Sequence, residues 1–419
     1  MAGSGSGAVG DANFMAVLRA TAAAISCAGT ATLQARQLLI TQTAQPLGEE
    51  AVVQATSGLA TAYSLGSVVE FFLSPVFGSL SERYGRKPMV LFLMIGPAIM
   101  RVLCATVTQP VARIRLLWLD FASARAVGIQ PFLGMCNTMI SDAYTVDAQP
   151  PARSQLAAAM AFGSILGNYL SGWYNAKAGP QSTYLATAAV PMMSLLFASL
   201  CLPETHRQRT TAALENKKEA KKSHFSLLLD PECFLLAGAL GLYEFMTYPP
   251  MNSVAILFMK ERLGWGPLQA GRFASGHALA VFSGSLLAGR LIRVLGKQLY
   301  VSMANMLTAL AFFLWATARS GPQLIACLLP LALGTGGNSV LLTRFVERAE
   351  SLGVSRGEAT GVVQAIGAVA RMAAPQLFTR LWLRAKAGAS LPLGAPLFSV
   401  SAIALMQEVL HRGALLVRK

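Results

Sequence analysis

Gly78-Ser-Leu-Ser-Glu82-Arg83-Tyr-Gly85-Arg86-Lys87-Pro88 is a short basic turn between two long apolar runs, bracketed by glycines seven positions apart. Glycine has no Cβ, so paired glycines at such a joint allow close backbone approach. Arg83, Arg86 and Lys87 make the turn positive, and positive loops between membrane spans stay cytoplasmic. The same spacing returns 211 positions downstream in Gly289-Arg290-Leu-Ile-Arg293-Val-Leu-Gly296-Lys297-Gln298, with Arg293 in the place of Glu82. A repeat of about half the chain points to a molecule built from two similar halves.

Composition agrees with spans on either side of the turn. Of 419 residues, 54% are hydrophobic and only 13% charged, and the mean hydropathy is +0.51. A soluble chain carries roughly 25% charged residues. Strand-like alternation is scarce and the apolar runs reach roughly twenty residues, the length a helix needs to cross a bilayer. The net charge of +15 lies in short loops rather than along one stripe, so it reads as membrane topology and not as a nucleic-acid surface. Cys27, Cys104, Cys136, Cys201, Cys233 and Cys327 fall singly in apolar segments, with no CxxC or Cys/His cluster. Neither a disulfide framework, a metal site nor a cofactor is expected.

Twelve spans are expected, centred near Ala28, Val68, Ala98, Val127, Ser164, Met192, Leu242, Leu279, Leu307, Pro330, Val369 and Ile403. They divide into a flexible tail 1–13, an N-terminal half 14–204, a linker 205–230, a C-terminal half 231–413 and a tail 414–419. The start Met-Ala-Gly-Ser-Gly-Ser-Gly lacks the pattern of a signal peptide. The loop bearing Glu49 and Glu50 holds no Lys or Arg and is expected outside, while basic loops and the lysine-rich linker put both termini in the cytoplasm. Arg113, Arg115, Lys260, Arg262, Arg384 and Lys386 run against that rule.

The turn at 78–88 resembles the signature of the major facilitator superfamily, Gly-x-Leu-x-Asp-Arg-x-Gly-Arg-Lys between the second and third transmembrane helices, with Glu82 where Asp is usual. The resemblance implies an all-α membrane protein with twelve transmembrane helices in two pseudo-symmetric six-helix halves. It makes Gly78, Glu82, Arg83, Gly85, Arg86 and Lys87 a gating loop, with Glu82 set against the start of the eleventh helix near Gly357. Leu202-Pro203-Glu204-Thr205 resembles the close of the family's sixth helix. Arg125, with Gly128 and Gly134 after it, resembles the arginine-bearing fourth helix of drug:proton antiporters of the tetracycline-resistance type. Gly163, Gly167, Asn168, Ser171 and Gly172 resemble their fifth-helix motif, with Asn168 replacing a proline and Ser171 a glycine. As small residues, Gly163, Gly167, Asn168 and Gly172 equally suit plain helix packing.

A charge at membrane depth costs at least ~2.5 kcal/mol and needs a partner or a wet path. The candidates are Glu70, Arg101, Asp120, Arg125, Glu244, His277 and Arg371. Glu70 and Glu244 sit near span centres, where a carboxylate that changes its access can carry a proton; each could equally pair structurally with Arg101, Arg125 or Arg371. Asp120 and Arg125 are five apart, which makes a direct pair strained, and Asp120 is near enough to a span end to be interfacial. Arg101 could snorkel outward, and Tyr243, Tyr248, Pro249 and Pro250 suggest a helix broken beside Glu244.

With no phosphate-binding loop and no nucleophile elbow, an enzyme is not expected. The resemblance implies secondary active transport of a small organic solute by alternating access, proton-coupled and antiport-like, by a monomer in a lipid bilayer. The alternatives are a uniporter or symporter for a sugar or organic anion, with Arg125 or Arg371 as anion ligands, and a transporter-like receptor or scaffold.

Overall fold

The structure, a computed structural model, describes residues 7–205, 224–247, 253–265, 267–387 and 391–417, and among these it is helical throughout with no strand. By contacts the chain divides into unit 1, Met1–Tyr144 with Ala159–Asn216, and unit 2, Thr145–Ala158 with Lys217–Lys419.

Unit 1 holds α1 (Gly7–Ala44), α2 (Glu49–Tyr84), α3 (Arg86–Thr106), α4 (Pro110–Ala126), α5 (Ile129–Ala143) and most of α6 (Gln149–Cys201). Its core gathers Leu39, Ile40, Leu59, Leu117 and Tyr184. Helix α1 begins inside the stretch expected to be a tail. The expected fifth and sixth spans form one 53-residue helical stretch, turned at Gly179, whose φ of 80° and ψ of 164° are not helical.

Unit 2 holds α7 (Pro231–Thr247), α8 (Ser253–Leu263), α9 (Pro267–Leu295), α10 (Lys297–Thr317), α11 (Gly321–Ala326), α12 (Leu328–Gly334), α13 (Gly337–Ser351), α14 (Arg356–Lys386) and α15 (Ala395–Val417). One core gathers around Trp315, stacked on Phe312 at 5.7 Å and met edge-on by Phe273 at 4.8 Å. A second gathers around Tyr300, Phe345 and Leu236. The linker lysines and Tyr248-Pro249-Pro250, where a helix break beside Glu244 was expected, lie outside the described residues.

Among the described residues, eight helical stretches are long and apolar enough to cross a bilayer, one of them the double-length α6. The remaining passes are the interrupted α4/α5, the pass that includes α7 and α8, and the more polar α14. Two expected span centres fall at or beside breaks inside their own passes. Val127 is the point at which α4 stops and α5 restarts, with Gly128 at φ −98° and ψ −129°. Pro330 belongs to the short α12, one piece of a pass cut again at Thr335–Gly336. The breaks follow from local chemistry: glycine removes the Cβ that favours the helical well, and the carbonyl that the Thr335 break frees is taken by the Tyr300 hydroxyl.

The repeat seen in the sequence is a repeat of backbone geometry. Gly85 joins α2 to α3 at φ 99°, ψ 164°, and Gly296 joins α9 to α10 at φ 78°, ψ 159°. In each, the glycine N–H donates to a carbonyl four residues back, Ser81 at 3.1 Å and Ile292 at 2.9 Å. That region of backbone space is essentially reserved for glycine. The joints differ in their surroundings: a Cβ on Gly85 would lie 2.6 Å from Glu204 Oε2, whereas one on Gly296 would meet nothing within 4 Å. Both Gly85→Ala and Gly296→Ala should cost roughly 1–3 kcal/mol in backbone strain. Gly85→Ala should cost more, because Glu204 must also move. Thermal unfolding of the purified variants checks the order; equal losses would show that the Glu204 contact is expendable.

Candidate functional site

The organising turn folds around the Arg86 side chain, which is 2% exposed although it carries a full charge. Its Nε donates to Asp142 Oδ2 at 2.9 Å, its Nη2 to Glu82 Oε1 at 2.6 Å and its Nη1 to Ser81 Oγ at 2.5 Å. The Ser81 hydroxyl in turn donates to the Gly78 carbonyl at 2.7 Å. A guanidinium spreads its donors in a fixed plane, so these acceptors, at the ends of α2 and α5, fix both segments against the start of α3, three segments in all. Glu204 adds a fourth segment, accepting from the backbone N–H groups of Arg86 and Lys87, both at 3.0 Å. These are the first donors of α3, which have no partner inside their own helix, and a carboxylate there also meets the positive end of the helix dipole. Glu82, expected to face the eleventh helix, bonds Arg86 within its own turn. Arg83 is exposed, lying over the Tyr84 ring at 5.4 Å.

The second copy of the turn lacks this node. Lys297, at the position of Arg86, reaches only Asp147 Oδ1 at 2.8 Å, and Asp147 is 93% exposed. The Lys297 hydrogen bond holds the Asp147 carboxyl below the ordinary range, but an exposed pair of this kind contributes little. Ionic structure in unit 2 instead gathers at the start of α7. Arg344 Nη2 meets Glu232 Oε1 and Arg348 Nη2 meets Asp230 Oδ2, both at 2.6 Å, and the Arg348 hydrogen bond lowers the Asp230 pKa. Thr145–Ala158 sorts with unit 2 through Arg153, whose Nη1 donates to Thr343 Oγ1, and through Ser154, 3.5 Å from Ser339 Oγ.

Asp120 is completely buried, and the arginine it pairs with is not Arg125. Arg36 of α1, which the sequence did not single out, donates to Asp120 Oδ2 from Nη2 at 2.6 Å and Nε at 3.2 Å. The Tyr184 hydroxyl bonds the same oxygen, and the guanidinium lies over the Phe121 ring at 4.4 Å. A direct Asp120–Arg125 pair fails because residues five apart on a helix point to different faces. Arg101 does not snorkel: it is buried, with Nη1 donating to the Thr187 carbonyl at 2.9 Å.

Arg125 lies over the Tyr63 ring at 4.1 Å, one residue before α4 ends. Glu70 is completely buried in α2, one turn beyond Gly66, which faces Ala122 and Arg125. In unit 2 the expected acid and base do meet: Arg371 Nη1 is 2.6 Å from Glu244 Oε2, with Arg371 buried and Glu244 a quarter exposed. The pair joins α7 to α14, and His277 is near the Trp315 ring at 6.4 Å. Helices interrupted at corresponding places of two repeats are where transporters of this build place their ligands; Gly128 and Gly336 mark such places here.

The fifth-helix motif acts by packing at two of its glycines. A Cβ on Gly163 would lie 2.0 Å from the Ala23 carbonyl and one on Gly167 2.3 Å from the Cys27 carbonyl, so α1 and α6 touch backbone to backbone. Ser171 continues that face, donating to the Ala31 carbonyl at 3.1 Å. Asn168 is half-buried beside it. Gly172 is corrected: it is exposed and faces open space, one position off the packed stripe.

Replacing one member of a buried ion pair strands the other, at about 3–5 kcal/mol, while replacing both with apolar residues is often neutral. Arg36→Met should therefore destabilise unit 1 by about that amount, and Arg36→Met with Asp120→Leu should recover most of the loss. Thermal unfolding of the three proteins checks this; a double variant as weak as the single one would assign the damage to packing.

Comparison with known proteins follows the fold. The model of the Major Facilitator Superfamily matches residues 17–375. The class B tetracycline resistance protein of Escherichia coli is 23% identical over 274 residues, 65% of this chain and 66% of that protein. Human major facilitator superfamily domain-containing protein 10 is 26% identical over 363 residues, 79% of this chain and 74% of that protein. The crystal structure of the latter, described as a human organic anion transporter, superposes with a TM-score of 0.74 at 18% identity, covering 96% of this chain and 99% of that one. The proton:xylose symporter XylE superposes with a TM-score of 0.72 at 12% identity, covering 95% of each chain. A family model spanning most of the chain, twelve-helix neighbours and the repeated glycine joints lead to one conclusion: this protein is a member of the major facilitator superfamily.

Proposed function

We propose that this chain is a proton-coupled secondary transporter of a small organic solute, working by alternating access, and that the Glu244–Arg371 pair carries the coupling. The observation behind this is a charged pair at 2.6 Å between α7 and α14, its arginine buried and its acid a quarter exposed. Each charge is costly there without the other. A proton on the Glu244 carboxylate removes its charge and breaks the charge-assisted bond, which releases Arg371 to another acceptor or to water. Proton occupancy and the position of α14 against α7 are thereby linked. Proteins that resemble this chain are named for tetracycline resistance, organic anion transport and proton:xylose symport, which supports a small organic solute.

The test is uptake into proteoliposomes under an imposed pH gradient, with a panel of amphipathic and anionic solutes. Antiport predicts uptake driven by an acidic lumen. Glu244→Gln should bind solute yet lose at least roughly tenfold of gradient-driven uptake, about 1.4 kcal/mol in transport terms; Glu70→Gln is the comparison. Full gradient-driven uptake by both variants would remove the assignment. A second reading, anion cotransport, is favoured by the deep burial of Arg371 relative to its acid: the protonated acid would hand Arg371 to an anionic solute. It predicts uptake driven by an acidic exterior instead.

We also infer that both termini face the cytoplasm, on the strength of the basic turn at 78–88 and the lysine-rich linker. On intact cells an impermeant thiol reagent should reach Glu49→Cys and not Lys218→Cys; the reverse pattern would invert the topology.

A further inference from the structure

A cavity of about 510 Å³ opens in unit 1 at the end of the bundle remote from the Gly85 turn. Leu39, Gln42, Arg113, Gly179, Gln181 and Ser182 are among the residues that line it, and none of its lining side chains is acidic. The size is in the range of small-molecule sites, roughly 300–1,000 Å³. We propose that this cavity binds a small organic carboxylate, at a site separate from the Glu244–Arg371 pair.

Arg113 supplies the charge. It sits in the first turn of α4 with Nε donating to the Val107 carbonyl at 2.5 Å, which orients the guanidinium. Its Nη1 and Nη2 groups bond no protein acceptor among the described residues, leaving a planar pair of donors of the geometry that matches a carboxylate. Gln181 is held in the wall by its own bond, Nε2 to the Ala105 carbonyl at 2.7 Å. Two helix starts meet at the cavity, α4 at Pro110 and the second part of α6 at Pro180, and each carries a partial positive charge.

The layer beneath has the same sign. Leu39, Ala105 and Leu185 of the lining are within one helical turn of, or adjacent to, Arg36, Arg101 and Tyr184. In that layer two buried arginines face one acid, Asp120, an excess of one positive charge. Arg101 Nε and Asp120 Oδ1 there are buried with no hydrogen-bond partner among the described residues. In a region of low dielectric such an excess attracts an anion more strongly than it would in water. The apolar wall of Leu39, Ala105 and Leu185 suits a short hydrocarbon or aromatic body behind the carboxylate.

The test uses the full chain in nanodiscs of phosphatidylcholine, with benzoate as probe and benzamide as its neutral isostere, read by titration calorimetry. Benzoate should bind saturably and benzamide at least tenfold more weakly. Arg113→Gln and the cavity-filling Gln42→Trp should each weaken benzoate at least tenfold with no change in unfolding temperature. Glu244→Gln should leave benzoate affinity unchanged, which separates this site from the proposed coupling pair. Adding phosphatidylserine to the nanodiscs identifies a lipid headgroup as the source of the carboxylate if it competes with benzoate, and a free solute if it does not. Benzamide binding as well as benzoate, or full benzoate affinity in both Arg113→Gln and Gln42→Trp, would overturn the proposal, whatever the outcome of the proton-driven uptake assay.

Discussion

Lipid offers no hydrogen bonds, so every charge and every loose backbone group in the bundle must find its partner inside the protein. The Arg86 node shows how unit 1 meets that constraint. One guanidinium ties α2 to the end of α5, while Glu204, from just beyond α6, takes the first N–H groups of α3. Four chain segments thus converge on a joint that only glycine can make. The Glu204 contact also explains the company of two stretches far apart in sequence, the basic turn and Leu202-Pro203-Glu204-Thr205: the second supplies the anion that the first helix start requires.

The same constraint accounts for the arginines deeper in the bundle. Arg36 and Tyr184 pair with one oxygen of Asp120, with the guanidinium over the face of Phe121, and Arg371 pairs with Glu244. These pairs differ in accessibility. The first is sealed, its acid completely buried, and reads as architecture. The second leaves its acid a quarter exposed, which is what a group that exchanges protons needs. Burial separates the two roles where residue type does not.

The repeat diverged in function while keeping its backbone. Gly85 and Gly296 hold matching dihedrals and matching N–H bonds, yet the buried three-acceptor node of one copy is a single exposed lysine contact in the other. Arg293 stands where the first copy has Glu82, so the second turn lacks the acid that partners a buried arginine in the first. In unit 2 ion pairs gather at the start of α7, where Asp230 and Glu232 meet Arg348 and Arg344.

Spans, turns and the internal repeat were legible in the sequence because hydropathy and glycine spacing are local properties. The apolar runs could become only membrane helices, and glycines at 78, 85, 289 and 296 could mark only two equivalent joints. The Glu244–Arg371 pair stood among several pairings that charge alone allowed. Tertiary structure decided which was made, since partners across helices depend on rotation about each helix axis and one sequence does not set that rotation. For the same reason Arg36 went unnoticed among the polar residues of α1, the partner of Asp120 was not foreseen, and Gly172 was grouped with a stripe it misses by one residue. The interruption at Val127–Gly128 was hidden as well, because an apolar run reads as continuous whether or not its backbone stays helical.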